Sequence, residues 1–205
     1  MLAAVEAGAD VVDGAIDGMS GLTSQPSLGA IAAASGDATS INLDALRPLN
    51  RYWEDVRALY APFESGQLSG SSDVFSHEIP GGQYTNLLFQ SKQLGLSGRF
   101  DEIKTAYATA NKLLGDIPKV TPSSKVVGDL AQFMVAQGLS GDDLIEQATS
   151  LPLPNSVIEY FQGYLGPPPG GFPEPLRSRV LEGRTLPDGS KCFEGRPGVD
   201  LDPCT

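Results

Sequence analysis

One stretch limits what this chain can fold into. Residues 9–36, ADVVDGAIDGMSGLTSQPSLGAIAAASG, read as strand, loop, helix. Residues 9–16 form a short apolar run with Val11 beside Val12, the pattern of a strand buried on both faces. A parallel strand needs neighbours, and no second or third strand is evident downstream. The expectation is therefore the end of a larger α/β layer, entered through residues 1–8, which read as the back half of a helix stopping at Gly8.

Gly14, Gly18 and Gly21 loosen the chain after the strand. Hydroxyls just ahead of Pro26 then predict a helix start before Leu28, Ala30, Ile31 and Ala32. Ser24 or Thr23 can cap it, and Pro26 suits the first turn because its missing N–H has no partner to lose. The hydroxyls of Thr23, Ser24 and Ser27 then border unpaired backbone N–H groups at the positive end of a helix dipole. Such a place suits an anion or a developing oxyanion. Caps are far commoner than active sites, so spacing alone reads first as a well-capped helix.

The remainder is mostly helical in pattern. Residues 47–63 carry Leu49, Trp53, Val56, Leu59 and Tyr60 as an apolar stripe, with Pro48 near the start. Residues 64–73 are Gly- and Ser-rich and predict a loop. Pro80-Gly81-Gly82 predicts a turn, with Thr85 or Asn86 capping a helix over 87–94 that stops at Gly95. Residues 101–114 place Ile103, Tyr107, Ala110 and Leu114 on one helical face. A helix over 126–137 follows, capped by Ser123 or Ser124 and ended by Gly138. Lys125 in its first turn opposes the dipole, a small local cost that a ligand or simple solvation can explain. Ser140 to Asp143 and Ser156 to Glu159 both fit the capping box. From Gly166 onward the Pro/Gly-rich text precludes regular structure, apart from one or two helical turns over 177–181.

Charge and composition exclude some functions. A formal charge of −11, with no Lys/Arg cluster, argues against a phosphate-backbone grip on nucleic acid. No apolar run approaches the roughly 20 residues of a membrane span. The N-terminus lacks the basic-then-apolar pattern of a signal peptide. Cys192 and Cys204 are close enough in sequence to pair, yet without nearby histidines they make no zinc site, and a reduced compartment is expected. His77, the single histidine, reads as a solvated or capping loop residue before it reads as a ligand.

Longer words in the sequence say more than spacing. MSGLTSQPS (19–27), EIPGGQYTNL (78–87), KVTPSSKVVGDLAQFMV (119–135), GGFPEP (170–175) and EGRPG (194–198) resemble, in order, the carboxyltransferase domain of pyruvate carboxylase. Together they tie residues 2–198 to that family. The carboxyltransferase subunits of oxaloacetate decarboxylase and transcarboxylase share the architecture, but the fuller EIPGGQYTNL wording looks more like the pyruvate carboxylase branch.

The resemblance implies an α/β fragment of a TIM (β/α)8 barrel followed by a mainly α-helical funnel. Residues 1–36 would be the last elements of the barrel, 37–198 the funnel, and 199–205 a truncated linker. It implies transfer of a carboxyl group from carboxybiotin to pyruvate, giving oxaloacetate, with Thr23 as the catalytic residue that shuttles the proton. Ser24, Gln25, Ser27, Gln83 and Lys125 follow as substrate or biotin contacts. Biotin rides on a carrier domain outside this chain. The divalent metal and ATP of the full enzyme have their sites elsewhere too, since the family's His-x-His pair and lysine ligand are missing here, and no residue of this chain is expected to bind metal. The implied partners are pyruvate, carboxybiotin and the remaining carboxylase domains of a tetramer, in bacterial cytoplasm or mitochondrial matrix. Read this way the chain is part of an enzyme, inactive alone. The other readings are a decarboxylase or transcarboxylase subunit fragment and a non-catalytic subunit-interaction module.

Overall fold

The computed structural model describes residues 1–36, 39–186 and 189–192. The EGRPG run, Cys204 and the 199–205 linker lie outside the described residues. Ten α-helices are described: α1 (Leu2–Glu6), α2 (Leu28–Ser35), α3 (Leu43–Arg57), α4 (Val74–His77), α5 (Gly81–Gln93), α6 (Phe100–Leu113), α7 (Ser123–Gln137), α8 (Gly141–Gln147), α9 (Asn155–Gln162) and α10 (Leu176–Val180). They fall into two compact units, residues 1–72 with 80–89, and residues 73–79 with 90–205.

The first unit contains α1, α2, α3 and most of α5. The strand expected over 9–16 does not form. Only an isolated parallel bridge joins Ala15 to Ser27, and Val11 is 79% exposed. The reason is the one that made the stretch conspicuous: a strand's backbone groups need partner strands, and among the described residues there are none. The helix start moves too. Ser27, not Thr23 or Ser24, is the N-cap of α2, its Oγ accepting from Ala30 N at 3.1 Å, with Pro26 outside the helix.

Helix α3 begins earlier than the apolar stripe suggests because Asn42 caps it, accepting from Asp44 N and Ala45 N at 2.9 and 3.2 Å. Pro48 sits inside it, and a 3-10 turn, Ala58–Phe63, continues the run. No residue of α3 is buried, and Leu49, Leu59 and Tyr60 of the expected stripe are exposed. The less exposed positions are Leu46, Asn50, Trp53, Val56 and Arg57, so Trp53 and Val56 of the expected stripe stay on this face and share it with two polar residues. Its polar members bond the loop after residue 16, as described below, so directional bonds add to apolar contact on this face.

In the second unit, α6 and α7 pack together and α9 lies on α7. Ile103, Tyr107, Ala110 and Leu114 are all fully buried, as their spacing predicts, against Val127, Leu130, Ala131 and Met134 of α7. Gly115 (φ +92) and Gly138 (φ +66) end the two helices in conformations a side chain disfavours. Tyr160, Phe161 and Phe172 form an edge-on aromatic cluster with centroids 5.1–6.1 Å apart. Tyr160 Oη donates to Leu114 O at 2.5 Å, so the buried phenol is satisfied.

Capping is only partly as expected. Ser140 and Asp143 form the reciprocal box at α8. Helix α9 starts after Pro154 with no side-chain cap, and Ser156 lies within it, donating to Asp129 Oδ2 at 2.6 Å. Helix α7 starts at Ser123, whose hydroxyl bonds Pro118 O (2.5 Å) and Val120 O (2.7 Å) instead of capping.

Candidate functional site

The 17–29 loop carries four of the six expected site residues. Its neck is closed by backbone: Ala15 N donates to Pro26 O at 2.9 Å and Leu28 N to Ala15 O at 2.8 Å. Its tip is a tight turn in which Ser24 N donates to Gly21 O at 2.8 Å and Gly21 N to Gln25 O at 3.0 Å. Thr23 is the third residue of that turn. Leu22 before it has φ +52, a left-handed conformation that costs a leucine energy and that the surrounding bonds must hold. Thr23 is half-buried, and its hydroxyl has no hydrogen-bond partner among the described residues.

The turn rests on α5. A Cβ on Gly81 would stand 2.6 Å from Thr23 O and 3.2 Å from Thr23 Cα, so this position admits only glycine without displacing the turn. That contact accounts for the glycine at 81, and Pro80-Gly81-Gly82 opens helix α5 instead of making a free turn. This start leaves Thr85 and Asn86 inside α5, where Thr85 Oγ1 bonds back to Gly82 O at 3.0 Å. Gln83 lies two residues beyond the seat, half-buried. Ser24 and Gln25 are exposed.

The anion-attracting helix start expected here is already taken. Asp17 Oδ1 accepts from Gly29 N at 2.8 Å and from Ser27 Oγ at 2.7 Å. With Leu28 N on Ala15 O and Ala30 N on Ser27 Oγ, the first three N–H groups of α2 are satisfied internally. A residue 12 positions upstream supplies the carboxylate, a non-local pairing that helix-start chemistry read locally does not anticipate. Asp17, Asn50 and Gly81 were not singled out by sequence reasoning. The only local signal was the glycine pair in Pro80-Gly81-Gly82, two poor helix formers at a helix start.

Lys125 belongs to the second unit. It is exposed and ion-paired with Asp129, four residues on, whose Oδ2 also takes the Ser156 hydroxyl. This i,i+4 pair gives the lysine an ordinary occupation on the helix surface.

His77 ends α4 and is buried, contrary to a solvated loop residue, though it does cap: its Nδ1 accepts from Ile79 N at 3.0 Å. Burial, and then Lys104 of α6, holds the imidazole below its ordinary pKa, with Asp73 opposing. As pH falls through about 6.5 the unfolded chain takes up a proton that the folded chain refuses, so stability falls. His77→Asn keeps an acceptor for Ile79 and removes the titration. The drop in melting temperature between pH 7.5 and 5.5 is therefore expected to be smaller in the variant than in the parent. Among the described residues, no group of three or more His, Cys, Asp or Glu is placed to hold a metal ion. No chemical step is therefore assigned to a metal among these residues.

Comparison with known proteins fits this geometry. Residues 74–205 match the family model of the conserved carboxylase domain. Pyruvate carboxylase 1 of Caenorhabditis elegans is 54% identical over 207 residues, covering 98% of this chain and 18% of that protein. Mitochondrial pyruvate carboxylase of Rattus norvegicus is 54% identical over 208 residues, covering 99% and 17%. The chain thus spans 17–18% of the length of these curated relatives. Its structure superposes on the carboxyl transferase domain from Rhizobium etli pyruvate carboxylase with a TM-score of 0.86 at 46% identity, over 98% of this chain and 33% of that one. The same domain with pyruvate and biocytin gives 0.87 at 45% identity, with the same coverage.

Proposed function

Since the chain belongs to the pyruvate carboxylase family, through its conserved carboxylase domain and its match to the carboxyl transferase domain, we propose that it serves carboxyl transfer from carboxybiotin to pyruvate. One observation carries the reading: Thr23 stands half-buried at the tip of a pinned turn, its hydroxyl unclaimed by protein among the described residues.

A hydroxyl accepts and donates in one motion. Thr23 Oγ1 takes a proton from the methyl carbon of pyruvate while its own proton passes to N1 of biotin. The carboxyl leaves N1 for the methyl carbon, giving oxaloacetate, and every atom is accounted for. Ser24, Gln25 and Gln83 flank the site as substrate or biotin contacts. Ser27, whose hydroxyl serves Asp17 and Ala30, contributes through the loop's shape. Lys125 is the weakest member. Carboxybiotin arrives as a substrate on a carrier outside this chain. The metal and ATP sites are likewise assigned elsewhere in a tetrameric whole enzyme.

Under the same reading residues 1–36 are the end of a (β/α)8 barrel and 37–198 its helical funnel, with 199–205 opening a linker. The match of the whole chain to relatives named pyruvate carboxylase favours this over a decarboxylase subunit or a purely structural module. The rat relative is mitochondrial by name, which supports the mitochondrial matrix for a eukaryotic source; for a bacterial source the reading is the cytoplasm. Among the described residues no helix is long and apolar enough to cross a membrane.

The test is a transplant. The matching segment of full-length C. elegans pyruvate carboxylase 1 is replaced by these 205 residues. Pyruvate-dependent oxaloacetate formation is expected to persist in the purified chimera. A folded chimera with intact biotin loading and no transfer would overturn the assignment.

A further inference from the structure

Besides the turn in which its carbonyl accepts from Ser20, Asp17 makes four hydrogen bonds to more distant residues of the first unit, a heavy load for one residue at a loop's entrance. Its Oδ1 accepts Ser27 Oγ (2.7 Å) and Gly29 N (2.8 Å), and its Oδ2 accepts Asn50 Nδ2 (2.6 Å). Its own N–H donates to Asn50 Oδ1 at 3.1 Å. The carboxylate therefore ties the end of the loop to its beginning, and the Asn50 amide grips Asp17 at two points. Two further contacts fix the loop on α3. Arg57 Nη1 donates to Gly18 O at 3.0 Å, and a Cβ on Gly18 would stand 2.7 Å from Glu54 N. A Cβ on Gly29 would run into the Asp17 carboxylate and push it off its partners. None of these residues is Thr23, yet all of them bond or border the loop that carries it.

We propose that Asp17, locked to Asn50, is a positioning residue for Thr23: the pair clamps both ends of the 17–29 loop so that the turn at its tip holds the Thr23 hydroxyl in one place against the Gly81 seat. The inference rests on the reading of Thr23 as the proton relay. Proton transfer needs its oxygen within hydrogen-bond reach of both donor and acceptor, and a displacement near 1 Å from a distant change costs on the order of 10²-fold in rate. A carboxylate in this position is suited to the work, since charge-assisted bonds to backbone and side chain are shorter and stronger than neutral ones.

The bond pattern supplies its own test. Asn50→Asp sets two carboxylates against each other across the present 2.6 Å contact. Adding Asp17→Asn restores a complementary pair. Asn at 17 keeps an oxygen for Ser27 and Gly29 and turns its amide toward a carboxylate at 50, which still accepts the backbone N–H of residue 17.

In a full-length pyruvate carboxylase carrying these 205 residues, Asn50→Asp is expected to lower kcat for oxaloacetate formation on the order of 10²-fold, with KM for pyruvate unchanged. The double swap is expected to regain most of it. Asn50→Ala, which removes two bonds without adding repulsion, is the milder variant and is expected to lower kcat in the same direction with its melting temperature held. Wild-type kcat in a folded Asn50→Ala or Asn50→Asp protein, when Thr23→Ala has lost transfer, overturns the positioning role alone. A rise in KM that accounts for the whole loss overturns it as well, as does a swap that restores the melting temperature but not kcat. Full transfer in Thr23→Ala instead overturns the relay reading beneath it.

Discussion

Thr23→Ala, placed in a full-length protein carrying these residues, is expected to lower oxaloacetate formation by about 10²–10⁴-fold, the range a positioned proton donor and acceptor contributes. The melting temperature is expected to stay where it was. Both halves follow from geometry. The hydroxyl bonds to nothing among the described residues, so removing it orphans no partner. The turn is held by backbone bonds between Gly21, Ser24 and Gln25 and by the Gly81 seat, none of which uses the side chain. Thr23→Ser keeps a hydroxyl at the same carbon and is expected to retain most of the rate. Measuring oxaloacetate by a coupled dehydrogenase assay beside a thermal melt separates the outcomes. Unimpaired transfer in Thr23→Ala would end the proposal, and a collapsed melt would show that the residue was structural.

Phe161→Ala is the second large effect, and it falls on stability. Phe161 is fully buried, ringed by Tyr160 and Phe172, and its carbonyl accepts from Arg177 Nε at 3.1 Å. The same guanidinium lies 4.4 Å over the Phe172 ring, so the aromatic cluster also anchors the Pro-rich segment before α10. Truncating a buried Phe costs about 3–5 kcal/mol, through lost transfer energy and the cavity left behind. Chemical denaturation should show the second unit unfolding at lower urea, with Phe161→Leu in between. A midpoint unchanged in Phe161→Ala would mean that the ring's neighbours close over the gap at no cost.

How much of this was legible beforehand depends on the reach of the interactions. The buried face Ile103, Tyr107, Ala110 and Leu114, the glycine stops at 115 and 138 and the Ser140 capping box were readable, because helical period and caps are decided within a few residues. Failures came where a distant partner decides. Residues 9–16 have strand composition but, among the described residues, no strand beside them. The α2 start looked open to an anion because Asp17, which fills it, is not part of the local motif. Helix α3 keeps only Trp53 and Val56 of its apolar stripe on the less exposed side, beside Asn50 and Arg57, whose bonds to Asp17 N and Gly18 O no local pattern announces. The Pro80-Gly81-Gly82 run looked like a turn because the reason for glycine at 81, the Thr23 backbone in the space of a side chain, lies far away in sequence. Thr23 itself was named from resemblance in wording. The structure adds the means by which it is held.

The two units are secured unequally, as their interiors show. Leu130, Val127, Tyr107, Ile103 and Phe161 fill the second unit, whereas α3 of the first buries nothing. Amide hydrogens should record that contrast in minutes and hours: those of α6 and α7 exchange only when the whole unit opens, while those of α1 and α2 exchange through small, frequent openings. The turn that carries the hydroxyl is thus built into the more readily opened half, and its lifetime in one arrangement is set by a few polar contacts rather than by bulk.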